Sequence, residues 1–298
     1  MKKRVQYEDP EVSYLWLKSE ERFYIRNPAG DLRRVSENAL TLLEKLASND
    51  LEYSELPENA SDLVKTLRRE GYLNDEGQVV ELLPPDDILL WPRIFLFVSL
   101  LTIGSYAALF ELPNFTSFEQ LFTPMRMISF ISIALISLII HECGHYFASK
   151  SYFSPEVRVG TINGIIPAVI TETTGAWMLP RNRRLWINLA GPLVQCIWLQ
   201  GLILLHYTVF SDNVVLSIAI VWNVLQIIFS LNPLIHGDGY WMFLDAFNIV
   251  DLRKRGIDDL FNKKITSAST YVVVSYSFST AMFLLSLTGM AYLLGLID

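Results

Sequence analysis

Cysteine is nearly absent from this chain. There are two in 298 residues, Cys143 and Cys196, both inside apolar segments. Two such residues cannot form the disulfide framework that braces small secreted domains, and each reads as a small packing side chain. Histidine is scarce too, with four in all. Positive charge is not in excess: 24 Lys and Arg stand against 31 Asp and Glu. Phosphate binding leans on cations, so nucleic acid is not an expected partner. The basic opening, MKKRVQYEDPEVSYLW, has no apolar core behind it, as a secretory signal would require. The first residues are therefore expected to stay in the cytosol. There is no internal repeat and no low-complexity tract.

What is present is unevenly placed. Residues 1–87 carry 12 Lys and Arg against 19 Asp and Glu, whereas 88–298 carry 12 of each and are strongly apolar. The expected division is a small acidic cytosolic domain over 1–87 and a membrane domain over 88–298. A membrane-spanning helix needs about 20 apolar residues. Five segments qualify, at roughly 88–110, 127–150, 185–210, 214–235 and 270–297. The connection 151–184 holds Arg158, Arg181, Arg183 and Arg184, and 236–269 holds Arg253, Lys254, Arg255, Lys263 and Lys264. The other side has only Arg126. Lys and Arg favour the cytosolic side, so both basic connections and the N-terminus are expected there. The expected fold is mainly α: a polytopic helix bundle of about five spans in the cell membrane, with a small N-terminal α+β domain.

One polar cluster interrupts the hydrocarbon. The run MISFISIALISLII ends in HECGH at 141–145. His141 lies about 14 residues along its span, roughly 21 Å at 1.5 Å per residue, past the middle and towards the cytosol. Ionisable groups at such depth are costly and usually mark function. On a helix, His141 and His145 share one face, one turn apart, where two imidazoles can hold one zinc ion. Glu142 lies beside them without being a ligand and can take a proton from the attacking water. A catalytic zinc usually has three protein ligands and one open position. The third is sought in SLNPLIHGDGYW, at 230–241, where Pro233, Gly237 and Gly239 break the helix at the membrane edge. Both Asp238 and His236 qualify on chemistry.

HECGH in a span, followed by LAGP at 189–192 and NPLIHGDG at 232–239, resembles the site-2 protease family of intramembrane zinc metalloproteases. The resemblance implies that Asp238 is the third ligand and that Asn232 helps to hold the substrate. The family's common second proline in this motif is Ile235 here. The combination of HECGHYFASK, GAWMLPRNRR, NLAGPLVQ and SLNPLIHGDGYW is similar to a bacterial branch of peptide zinc metalloproteases that accompany peptide-modification and export clusters. It implies a precursor peptide as substrate and a peptide exporter as neighbour.

Three further readings concern the surroundings. EVRVGTINGIIPAVITETTGAWMLP, at 156–180, is rich in Val, Ile and Thr and suits a strand hairpin beside the cavity, whose edge could pair with an extended substrate. Gly191 and Pro192 permit close helix approach beside HECGH. Gln195, Gln200, Asn223 and Gln226 are read as helix–helix hydrogen-bonding groups, and His206 as interfacial.

In the N-terminal part, 14–34 reads as two strands with a turn at 27–30. Ser36 can cap a helix with Leu40, Leu43 and Ala47 on its apolar face. A second helix at about 61–70 stops at Gly71, and GYLNDEGQVVEL suggests a hairpin. This order makes a winged-helix-like unit that resembles PqqD-type leader-peptide recognition domains, which implies precursor-peptide binding on a sheet edge. Two other functions stay open: regulated proteolysis of a membrane-bound signalling protein, and a non-enzymatic export or immunity subunit. The latter would have no need of Glu142.

Overall fold

The structure, a computed structural model, describes residues 14–19, 22–26, 32–47, 51–72, 79–81, 87–115, 118–152, 155–162, 166–211 and 213–293. The chain forms two compact units. One comprises 1–88 with 149–155 and 173–184; the other comprises 89–148, 156–172 and 185–298.

The first unit contains β1 (Tyr14–Ser19), β2 (Arg22–Arg26), β3 (Leu32–Val35), α1 (Glu37–Ala47), α2 (Glu58–Arg69) and β4 (Val79–Glu81). The sheet order is β3-β2-β1-β4. Phe23 and Ile25, two apart on β2, point to one face of the sheet. There they meet Leu40 and Leu43 of α1, Leu67 of α2 and Tyr72. Ser36 does cap α1, its Oγ accepting from the Ala39 N–H at 3.2 Å. The C-terminus of α2 has both bonds of a Schellman turn. Gly71, at φ 78°, donates to the Arg68 carbonyl, and Tyr72 donates to that of Leu67. Two details differ from the sequence reading. Segment 14–34 contributes parts of three strands. Among the described residues, the expected hairpin over 71–82 is β4 alone, and it lies parallel to β1 with Leu15 opposite Val80. A parallel partner needs a long crossover, which α1 and α2 supply. The expected turn at 27–30 and residues 73–78 lie outside the described residues.

The second unit is helical: α3 (Trp91–Phe115), α4 (Pro124–Ser149), α5 (Arg181–Thr208, whose first turn belongs to the first unit), α6 (Val214–Ser230), α7 (Asp238–Ala246), α8 (Leu252–Phe261) and α9 (Ser267–Leu293), with a hairpin of β5 (Glu156–Ile162) and β6 (Ile166–Glu172). Four helices among the described residues are long and apolar enough to cross a membrane: Trp91–Pro113, Pro124–Ser149, Arg181–Thr208 and Ser267–Gly289. The fifth expected span falls just short of that length. The segment expected at 214–235 is a helix of 17 residues, about 25 Å long at 1.5 Å per residue against a hydrocarbon core of about 30 Å. Asn213 starts it, its Oδ1 accepting from the N–H groups of Val215 and Leu216. It stops before Asn232-Pro233, because a proline disfavours helical backbone in the residue preceding it. Most of α6 is buried, and Ile220, Val224 and Ile227 pack with Phe97 of α3 and Leu193 and Leu199 of α5. A helix enclosed by protein need not match the lipid in length.

His206, expected at the interface near the end of its span, is covered by protein. It is 2% exposed, and its Nε2 lies 3.3 Å from Glu111 Oε1. Tyr207 donates to the same oxygen at 2.7 Å. A carboxylate at the end of a span is stabilised by such partners.

Candidate metal centre

The site is built on two close helix approaches. At Gly144 of α4, a Cβ would stand 2.5 Å from the Ala190 carbonyl oxygen of α5. At Gly191 of α5, a Cβ would stand 2.3 Å from Nε2 of His145. The absence of side chains at these positions lets α5 lie directly on the histidine face of α4. The LAGP segment thus makes room for an imidazole as well as for a neighbouring backbone.

Each histidine is oriented by its Nδ1. His145 Nδ1–H donates to the Ile187 carbonyl at 2.8 Å, and His141 Nδ1–H donates to Gln195 Oε1 at 2.9 Å. A backbone carbonyl can only accept, so the neutral His145 tautomer leaves Nε2 bare. Both Nε2 atoms converge, 3.2 Å apart.

The third group arrives from the break after α6. Gly237 is extended, and α7 begins at Asp238. Gly239 is pressed against the backbone just after α6: a Cβ there would lie 2.1 Å from the Leu231 carbonyl oxygen. The loop is also held by α9, where the Tyr271 hydroxyl donates to the Pro233 carbonyl and Ser275 Oγ to that of Leu234. So fixed, Asp238 places Oδ2 3.0 Å from His141 Nε2 and Oδ1 3.2 Å from His145 Nε2. The ligand atoms of His141, His145 and Asp238 all lie within 4.8 Å of one another.

These residues fit a zinc ion. Tetrahedral ligands at about 2.0–2.2 Å from zinc lie roughly 3.3–3.6 Å apart, close to the separations seen. With both Nδ1 protons so placed, two imidazole lone pairs and a carboxylate face one another, an arrangement that a bound cation would stabilise.

Glu142 is buried and sits against the hairpin. Its Oε2 accepts from the Thr171 N–H at 2.8 Å and from Thr171 Oγ1 at 2.7 Å, both on β6. The expected hairpin is present, with β5 and β6 antiparallel from Glu156 opposite Glu172 to Ile162 opposite Ile166. Residues 163–165 of its turn lie outside the described residues.

His236 is not part of the cluster. Its ring lies against Tyr240 and Trp241, at 4.9 and 5.1 Å between centroids. Burial, then the Arg253 guanidinium, lower its affinity for a proton. Asn232 uses Oδ1 to accept from the Leu234 N–H at 2.9 Å, bracing its own loop.

Thr171, Gln195, Tyr271 and Ser275 hold the cluster, and the sequence reading did not assign them to it. One signal was available. Gln195 follows Gly191 by four residues and so shares its helix face, the face already expected beside HECGH.

The chain is 27% identical, over 158 residues, to "Putative peptide zinc metalloprotease protein YydH" of Bacillus subtilis (strain 168). The match covers 52% of this chain and 61% of that protein's length. No family model matches the chain, and no solved structure matches it. The similarity supports a zinc metalloprotease family, and the apolar helices support a membrane protein.

Proposed function

We propose that this protein is an intramembrane zinc endopeptidase of the site-2 type that cleaves a precursor peptide made in the cytosol. The observation that carries the proposal is the convergence of His141 Nε2, His145 Nε2 and Asp238 on one point, with Glu142 one residue along the same helix. Zinc bound there would activate water and polarise the scissile carbonyl. The protein's own residues then have separate tasks. His141, His145 and Asp238 hold the ion. Glu142 takes a proton from the attacking water and returns it to the leaving amine. Thr171 keeps one carboxylate oxygen of Glu142 engaged and so fixes how the other is aimed. Asn232 helps to hold the substrate near the ligand loop. The packed helices around the cluster keep lipid away from a reaction that consumes water.

Substrate delivery falls to the hairpin and the N-terminal domain. An extended peptide can add to a strand edge through its backbone, and β5 offers exposed Val157 and Val159 for side-chain contact. Residues 1–87, read as a winged-helix-like, PqqD-type domain facing the cytosol, would bind the leader of a ribosomally made precursor before its export by a neighbouring peptide exporter. The test is a comparison, by mass spectrometry, of peptides from cells carrying the wild-type protein and Glu142→Gln. Accumulation of an uncut precursor is expected in the mutant. Identical peptide profiles, or accumulation of a cleavage-resistant signalling protein in place of a peptide precursor, would contradict this function.

A further inference from the structure

We propose that Gln195 is a positioning residue that sets the tautomer of His141, at the end of a directional chain of hydrogen bonds through α4, α5 and α6. The inference rests on the zinc reading above and assigns a task to polar groups that helix packing alone would otherwise explain.

A glutamine amide has a donor end and an acceptor end of nearly equal size. With its NH2 towards His141, it would make Nδ1 an acceptor. The ring proton would then sit on Nε2 and block the metal. With its carbonyl towards His141, it makes Nδ1 the donor and leaves the Nε2 lone pair free. The amide's orientation therefore decides whether His141 can be a ligand.

That orientation is imposed from a backbone carbonyl two steps away. Asn223, fully buried, donates through Nδ2 to the Ala219 carbonyl at 2.9 Å. The carbonyl cannot donate, so Asn223 must present Oδ1 to its other neighbour. Gln195 Nε2 donates to that Oδ1 at 3.4 Å and to Gln226 Oε1 at 3.3 Å. With its NH2 so occupied, Gln195 turns Oε1 to the His141 Nδ1–H at 2.9 Å. His145 reaches the same state directly, from the Ile187 carbonyl. Both ligands are thus aimed by backbone carbonyls, one directly and one through two amides. Gln195 is 3% exposed, and a buried amide costs free energy unless its hydrogen bonds are made. Here each bond also carries direction. Partners that orient a ligating histidine typically contribute 10–100-fold to metal affinity.

The experiment is zinc affinity, by chelator competition, and the visible absorption of the cobalt-substituted protein, both in detergent. The proteins are wild type, Gln195→Met and Gln200→Met. Gln200 lies on the same helix and is half-buried, and it donates to the Leu100 carbonyl of α3 and not to a histidine, so its substitution controls for loss of a helix-packing amide. Gln195→Met is expected to lower zinc affinity about 10–100-fold and to change the cobalt spectrum. Gln200→Met should match the wild type in both. A folded Gln195→Met protein with wild-type affinity and spectrum would overturn the inference while leaving the zinc reading intact. A wild-type protein that binds no zinc would overturn both. Should Gln195→Met fail to fold, Asn223→Leu decides. It leaves Gln195 in place but unlocks its amide, so a several-fold loss of zinc affinity supports the chain and an unchanged affinity overturns it.

Discussion

The most severe test of the site's construction is Gly191→Ala, a change of one methyl group on a residue that is not a ligand. The added Cβ would lie 2.3 Å from His145 Nε2, 2.6 Å from its Cε1 and 2.9 Å from its Cδ2. Ordinary van der Waals contact for such a pair begins near about 3.4 Å, so the imidazole must retreat by about 1 Å. Helix α5 could retreat in its place, but Gly144 is already packed against the Ala190 and Gly191 backbone. Interiors packed this closely yield little. Metal–ligand distances tolerate only about ±0.2 Å, so a displacement of about 1 Å removes His145 from coordination. We expect zinc affinity to fall at least as far as the upper end of a lost supporting contact, about 100-fold or more, and peptide cleavage to be lost with it. The assay is metal content and chelator competition on the purified protein. Gly201→Ala is the control. It lies on the same helix with open space around the added Cβ, and exchanging glycine for alanine there gains up to about 1 kcal/mol in helix propensity. It should bind zinc normally. Wild-type zinc affinity in Gly191→Ala would refute the close packing of α5 on the histidine face.

The remaining predictions concern ligand choice, the base and delivery. Asp238→Ala should strip zinc, while His236→Ala should retain it, since His236 is packed among aromatic rings; metal analysis giving the reverse order would exchange their roles. Thr171→Val removes the hydroxyl bond to Glu142 and keeps the backbone one. It should lower kcat several-fold with zinc content unchanged, and an unaltered kcat would show that the hydroxyl does not aim the base. Deleting residues 1–85 should leave zinc content intact and raise the precursor concentration needed for half-maximal cleavage; equal efficiency of full-length and truncated protein would leave that domain without a delivery role.

Much of this architecture was legible because membranes impose strong patterns. The apolar runs located α3, α4, α5 and α9 to within a few residues, and HECGH in one of them marked a costly cluster whose partners had to be found. Helix α6 was legible in place but not in extent. Hydropathy continues through Leu231, Leu234 and Ile235, but the backbone turns at Asn232-Pro233 and the helix ends at Ser230. In the N-terminal unit, Ser36 and Gly71 marked helix ends through local chemistry, which short motifs encode well. The parallel pairing of β4 with β1 depends on residues some 65 apart in the chain, and no local pattern specifies it. The supporting residues of the site were illegible for the same reason. Thr171 and Gln195 reach Glu142 and His141 across 29 and 54 residues of sequence, and polar side chains in apolar segments look alike until the fold shows what they face. The partner of His206, Glu111, was illegible for the same reason, since it lies on another helix.

In the proposed site, zinc binding and proton transfer are carried by different residues, with Glu142 on the same helical turn as His141 and His145. Glu142→Gln separates them, because it preserves the shape of Glu142 and removes the basic carboxylate without touching His141, His145 or Asp238. The decisive measurement is zinc stoichiometry and precursor cleavage on the same purified preparation of this mutant. One zinc per chain is expected, as in the wild type, with cleavage reduced at least about 10²–10⁴-fold. A mutant that loses zinc, or that cleaves the precursor at the wild-type rate, would contradict this division of roles.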